Sequence, residues 1–309
     1  MTHAALAFVF PGQGSQKVGM LADLAERFPI VNETFAEASE VLGYDLWELT
    51  QSGPQEKINQ TEITQPLLLT ASIACYRAYE QSTDVRPTVV AGHSLGEWSA
   101  LVAAGVVAFK DAVRLVASRG ALMQKAVPQG EGGMAAILGL SDDQVREVCT
   151  ATGAHAVNFN CPGQVVIAGD NASVEAAIAA ATEAGAKRAI ALAVSAPFHT
   201  PMMKPAADEL AAEVGEVTFN TPMIRVIHNV TVAEESSPEA IKAIMLEQIY
   251  SPVRWTETAE LFASSGIETI IECGPGKVLC GLNKKVSRSF NVASLEDVAG
   301  FDKALGMVE

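Results

Sequence analysis

The chain has 309 residues, 49% apolar and 18% charged, a balance that fits a well-packed globular protein and excludes a disordered one. Its formal net charge of −15 lacks the basic footprint that nucleic acid or an anionic membrane requires, and no stretch approaches the roughly eighteen apolar residues that span a bilayer. The five cysteines (Cys75, Cys149, Cys161, Cys273 and Cys280) are scattered, with no Cys-x-x-Cys pair; this argues against disulfides, structural zinc or any metal site, and for a reducing cytoplasm.

The start, MTHAALAFVFPGQG, has no basic n-region and runs directly into an apolar stretch, so no signal peptide is expected. Ala5–Phe10 reads as a strand, and Ala22–Leu42 and Pro66–Gln81 read as helices from the spacing of their apolar residues. Thr88–Ala91 is the next strand, followed by helices over Leu95–Ala104 and Lys110–Ala126. Such alternation predicts a parallel α/β sheet. Pro128 to Gly133, with three glycines and a proline, is a linker. A compact block follows. Its strands are Met134–Leu140, a hairpin of Ala156–Phe159 and Gln164–Ala168 about Cys161-Pro162-Gly163, and Lys187–Val194. Its helices are Asp142–Thr152 and Ser173–Ala184. The βαββαβ order is ferredoxin-like. Ser195-Ala196-Pro197 returns the chain to the first unit, where Ile224–Asn229 and Thr269–Glu272 are further strands. The expectation is an α/β protein: a large domain of residues 1–127 and 196–309 around an inserted ferredoxin-like domain of residues 128–195, with a cleft between them.

Gly92-His93-Ser94-Leu95-Gly96 fits Gly-x-Ser-x-Gly between a buried strand and a helix. A turn that tight needs both glycines and lifts the serine to the C-terminal edge of the sheet, with a helix N-terminus behind it to favour developing negative charge. This nucleophile elbow makes the large domain α/β-hydrolase-like. A serine nucleophile needs a base. Of five histidines, His3 is terminal, His93 adjoins the serine, and His155 and His228 lie beside strands. His199, on the loop leaving the inserted domain and braced by Pro197 and Pro201, is the best placed. No aspartate motif supplies a third member, and a carbonyl would suffice to orient the imidazole.

In the helix Lys110–Ala126 the apolar stripe Ala112, Leu115, Val116, Leu122, Met123, Ala126 is interrupted by Arg119. A charge on a buried face must find a partner. That partner is either an internal carboxylate or the carboxylate of a substrate, which the flat guanidinium grips with two hydrogen bonds. Pro11-Gly12-Gln13-Gly14-Ser15-Gln16 is no phosphate cradle, lacking the third glycine and the Gly-Lys-Ser/Thr. It is either a plain strand-end turn or a loop offering bare N–H groups to an oxyanion. Glu272 to Lys277 is another strand-end turn, and Lys277, Lys284, Lys285 and Arg288 form a basic cluster that is a solvated helix face or a dock for an acidic partner.

Taken together, the chain resembles the malonyl-CoA:acyl carrier protein transacylases of fatty acid synthesis and the related acyltransferase domains of polyketide synthases. The likeness runs from about Phe8 to about Leu295 through FPGQGSQ (10–16), TQPLL (64–68), GHSLGEWSA (92–100), NFNCPGQVVIAG (158–169), SAPFH (195–199), EQIYSPVRW (247–255) and ECGPGKVL (272–279). By that resemblance Ser94 carries the acyl group and His199 is its acid and base. Gln13 and Leu95 supply oxyanion-hole N–H groups, and Arg119 holds the malonyl carboxylate. His93 and Asn160 line the acyl pocket, the Phe198-His199 pair matches the malonyl-selecting form of the loop, and the main-chain carbonyl of Gln248 orients the histidine. The resemblance implies ping-pong transfer of malonyl from malonyl-CoA to the phosphopantetheine thiol of acyl carrier protein, with no cofactor. The large domain with its insert could stand alone, so a monomer is expected, in the reducing cytoplasm that the cysteines indicate. A serine hydrolase, a carrier-protein-binding subunit without activity, and an acyltransferase serving a polyketide or malonate-decarboxylase system are the competing expectations.

Overall fold

The apolar run Leu6–Phe10 is buried on both faces, which only a strand covered from above and below can achieve. In the computed structural model it forms the centre of a five-stranded sheet. The structure describes residues 2–128, 130–194 and 196–308; Gln129 of the expected linker, the boundary residue Ser195, and Met1 and Glu309 lie outside the described residues. The strands are β1 (Thr2–Phe10), β2 (Arg86–Gly92), β3 (Gly132–Leu138), β4 (His155–Cys161), β5 (Gln164–Asp170), β6 (Arg188–Ala191), β7 (Arg225–Ile227), β8 (Thr269–Glu272) and β9 (Asn291–Ser294). The large sheet runs β7-β2-β1-β8-β9, and every neighbouring pair is parallel. Helix Thr61–Ser82 packs on it, with the Tyr79 ring edge-on to Phe8 at 4.8 Å between centroids. The register sets Phe10 beside Gly92, so the C-terminal ends of β1 and β2 finish level. In open α/β sheets that edge carries the chemistry.

The second sheet, β4-β5-β3-β6, is antiparallel throughout and matches the ferredoxin-like order. It has its own apolar core with helices Asp142–Thr152 and Asn171–Glu183, including Ile137, Val145, Val165, Ile167 and Val174. The first of these helices opens with a capping box between Ser141 and Gln144, the second with the carboxylate of Asp170 accepting from Ser173 N–H. Main chain ties this second sheet to the loop before helix Trp255–Ser264: Phe159 N–H donates to Val253 O at 2.9 Å, and Val253 N–H to Val157 O at 2.8 Å.

Some elements depart from expectation. The helix read over 22–42 is two, Ala22–Arg27 and Pro29–Leu42, because Pro29 excludes Phe28 from helical geometry and leaves it extended. The helix read from Pro66 begins at Thr61 and carries that proline in its second turn. The strand read over 187–194 stops at Ala191; beyond it Leu192, Ala193 and Val194 leave the sheet to line a cavity. The helices after Pro201, from Lys204–Glu216 to Val298–Gly306, and strand β9 were not among the expected elements.

Candidate active site

The elbow is built by close backbone approaches. A Cβ on Gly92 would lie 1.9 Å from the Gly96 carbonyl, and one on Gly96 would lie 2.0 Å from the Phe10 oxygen. Neither position admits a side chain. Ser94 itself takes φ 51°, a left-handed conformation costly for a residue with a Cβ. Two bonds from Asn229 hold it there: Oδ1 accepts Ser94 N–H at 2.8 Å, and Nδ2 donates to Gly92 O at 2.7 Å. His93 N–H donates to Phe10 O at 3.0 Å, tying the elbow to the end of β1.

Ser94 Oγ donates to His199 Nε2 at 2.7 Å, and His199 Nδ1 donates to the main-chain oxygen of Gln248 at 2.8 Å. A carbonyl can only accept, so the proton sits on Nδ1 and Nε2 is the unprotonated nitrogen that accepts from Ser94. Burial, then the neighbouring Arg119 charge, drives the His199 pKa down to about 3. His199 is also in left-handed geometry, at φ 63°.

Arg119 is 1% exposed on helix Phe109–Lys125. Its Nη1 donates to Gln65 Oε1 at 2.7 Å; its Nη2 donates to Gln248 Oε1 at 2.9 Å and, at 3.4 Å, to Ser94 Oγ. Among the described residues no carboxylate pairs with it, so the internal salt bridge is absent, and Nε has no partner. Burial pulls its pKa down to about 10, which still leaves it a cation at neutral pH.

Ser94, His199, Arg119, Gln13, Leu95, His93 and Phe198 share one cavity of about 500 Å³, with Gln65, Asn158, Met123, Met134 and Leu192. The main-chain N–H groups of Gln13 and Leu95 make no hydrogen bond among the described residues, and the Gln13 loop is pressed onto the elbow: a Cβ on Gly12 would lie 2.5 Å from His93 O. Asn160 stands one step back, its Oδ1 accepting from His93 Nε2 at 2.8 Å, and burial lowers the His93 pKa so that the ring is neutral. Asn158 faces the cavity instead.

The sequence reading did not single out Gln65, Glu97, His228 or Asn229, all fully or nearly fully buried around the elbow. Of the basic cluster, Lys277 is taken up by Glu296, while Lys284, Lys285 and Arg288 stay exposed. A larger groove, about 640 Å³, runs past Arg146, Cys149 and Arg254. There the arginines pair with Asp143 and Glu257, and burial pushes the thiol up to about 11, so it offers no comparable chemistry. No group of three or more potential metal ligands occurs among the described residues, and none of their helices is long and apolar enough to cross a membrane.

Residues 7–303 match the family model for the acyl transferase domain. The malonyl CoA-acyl carrier protein transacylase of Escherichia coli (strain K12) is 54% identical over 97% of this chain and 98% of its own. The solved structure of an acyl carrier protein S-malonyltransferase from Vibrio cholerae superimposes with a TM-score of 0.95 at 55% identity, covering 97% of this chain and 99% of that one. A second solved structure, of a type II PKS acyl-carrier protein in complex with its malonyl-transacylase, matches with a TM-score of 0.96 at 51% identity, covering 98% and 99%.

Proposed function

The chain belongs to the acyl transferase domain family, and from that premise we propose the residues by which it works. It transfers the malonyl group of malonyl-CoA to acyl carrier protein, the substrate of fatty acid or polyketide elongation. Ser94 is the nucleophile and His199 its base. The observation that carries this assignment is the relay from Ser94 Oγ through His199 to the Gln248 carbonyl, at 2.7 and 2.8 Å. Ser94 Oγ attacks the thioester carbonyl as its proton passes to Nε2. The N–H groups of Gln13 and Leu95 receive the oxyanion, each such donor contributing about 3 kcal/mol to the transition state. As the carbonyl re-forms, the thioester C–S bond breaks and the CoA sulfur leaves as a thiol, taking the proton from His199. The same base then deprotonates the phosphopantetheine thiol, which attacks the malonyl-serine ester and frees Ser94. Arg119 holds the malonyl carboxylate, His93 and Asn160 shape the acyl pocket, and Phe198 leaves little room for an α-methyl branch.

We further propose a large domain of residues 1–127 and 196–309 around an inserted domain of residues 128–195, acting as a monomer in the cytoplasm with no resident cofactor, since the protons move between this chain's own groups. The exposed Lys284, Lys285 and Arg288 would suit an acidic face of the carrier protein. Incubation with malonyl-CoA alone, followed by intact mass, tests the reading. A gain of one malonyl group that acetyl-CoA does not give supports it; free malonate accumulating without an adduct would indicate a hydrolase.

The depressed pKa of His199 makes a signed prediction. Its folded value, about 3, lies below the ordinary 6.5, so the base form persists as pH falls. Between pH 7.5 and 5.5 an unperturbed imidazole of pKa about 6.5 would become about nine-tenths protonated, whereas acylation by malonyl-CoA is expected to change less than about twofold. Quenched-flow measurement of adduct formation reads this directly; a tenfold fall would place the histidine at its ordinary pKa.

A further inference from the structure

We propose that Glu97 is a positioning residue for the carboxylate clamp: it fixes the side-chain amide of Gln248 in the one orientation that presents an acceptor to Arg119. The inference rests on the roles given above to Ser94, His199 and Arg119. Glu97 is the one charge in helix Gly96–Ala103 and is fully buried. Its Oε2 accepts from Gln248 Nε2 at 2.7 Å and from Asn229 N–H at 3.2 Å, and its Oε1 accepts from His228 Nδ1 at 2.7 Å. Gln248 Nε2 also donates to Ser94 O at 2.9 Å.

Both strong partners of Nε2 are therefore acceptors, while the group facing Gln248 Oε1 is the donor-only guanidinium of Arg119, at 2.9 Å. Reversing the amide would turn its oxygen toward a carboxylate and a carbonyl, and its NH₂ toward a cation. The chemistry leaves one orientation. Glu97 thus stands as the counter-charge of Arg119 at one remove, with a single amide between them. Gln248 has a second, separate duty: its main-chain oxygen orients His199 from the short helical turn Gln248–Tyr250. Loosening the side chain should then disturb the clamp more than the base.

Substitution can separate these contributions. His228 Nε2 has no partner among the described residues, so its ring can shift its proton there at no loss of a hydrogen bond. Glu97→Gln can then turn its oxygen to Gln248 and its NH₂ to His228 Nδ1. Glu97→Met fills similar space with no acceptor.

Steady-state kcat and KM would be measured for both variants with malonyl-CoA and with p-nitrophenyl acetate, a neutral acyl donor that needs the serine and base but no clamp. Glu97→Met is expected to lower the malonyl-to-acetate ratio of kcat/KM by about 30-fold, chiefly through the KM for malonyl-CoA, and Glu97→Gln to restore it to within about threefold of wild type. Should Glu97→Met not fold, Glu97→Asp, which withdraws the carboxylate by one methylene, is expected to shift the ratio the same way by about fivefold. An unchanged ratio in the folded variant, or no rescue by glutamine, would overturn the proposal. Arg119→Ala serves as the control. If it too leaves the ratio unchanged, the clamp reading has failed; if it shifts the ratio and the Glu97 variants do not, only the role of Glu97 has failed.

Discussion

Ser94→Ala is expected to fold normally, to take up no malonyl group from malonyl-CoA, and to lose about 10⁴-fold or more in transfer to acyl carrier protein. The fold should tolerate the change because the elbow is fixed by main chain. Ser94 N–H is held by Asn229, and the flanking glycines touch Phe10 and each other whatever stands between them. Alanine meets the same cost at φ 51° as serine, so the strain is neither relieved nor increased. What disappears is the oxygen that donates to His199 and accepts from Arg119. Intact mass and a carrier-protein assay on the same preparation read both consequences. A malonyl adduct persisting in the alanine variant would place the nucleophile elsewhere.

The elbow was legible in the sequence because all of its requirements are local: an apolar strand, two glycines, a helix. Arg119 was legible for a related reason, as a charge interrupting an apolar stripe. Glu97 gives the same signal, a carboxylate alone in the helix that follows the elbow, but the signal does not name its partners, because only the fold brings Gln248, His228 and Asn229 to it. Gln248 and Asn229 offer no such local sign. They act on Ser94 across 154 and 135 residues of chain, and an amide looks alike in a loop and in a site. The fold divides in the same way. Strand β8 matched its expected bounds because it is fully buried and flanked by turn residues. The strand read over 187–194 ran too long, because an apolar run does not reveal where it ceases to face a sheet and begins to face a cavity.

Arg119→Ala carries the other large effect, and it bears on selectivity more than on reactivity. In the free protein the guanidinium is buried against neutral oxygens of Gln65 and Gln248, with Nε unpaired and no carboxylate in contact among the described residues. On the proposed reading a malonyl group would supply the missing charge, and an acetyl group would leave it missing. Stranding a buried charge costs about 3–5 kcal/mol, which corresponds to roughly 10²- to 4 × 10³-fold in kcat/KM. Arg119→Ala is therefore expected to lose about that factor with malonyl-CoA and to change far less with acetyl-CoA, so that the preference between the two largely collapses. Arg119→Lys keeps the charge but not the flat fork that reaches Gln65 and Gln248 together, and should recover only part of the loss. Competing malonyl-CoA and acetyl-CoA in one reaction, with both acyl-enzymes weighed, gives the ratio directly. If alanine at this position leaves that ratio where it was, the carboxylate is held by some other group and Arg119 is only a buried cation satisfied by amides.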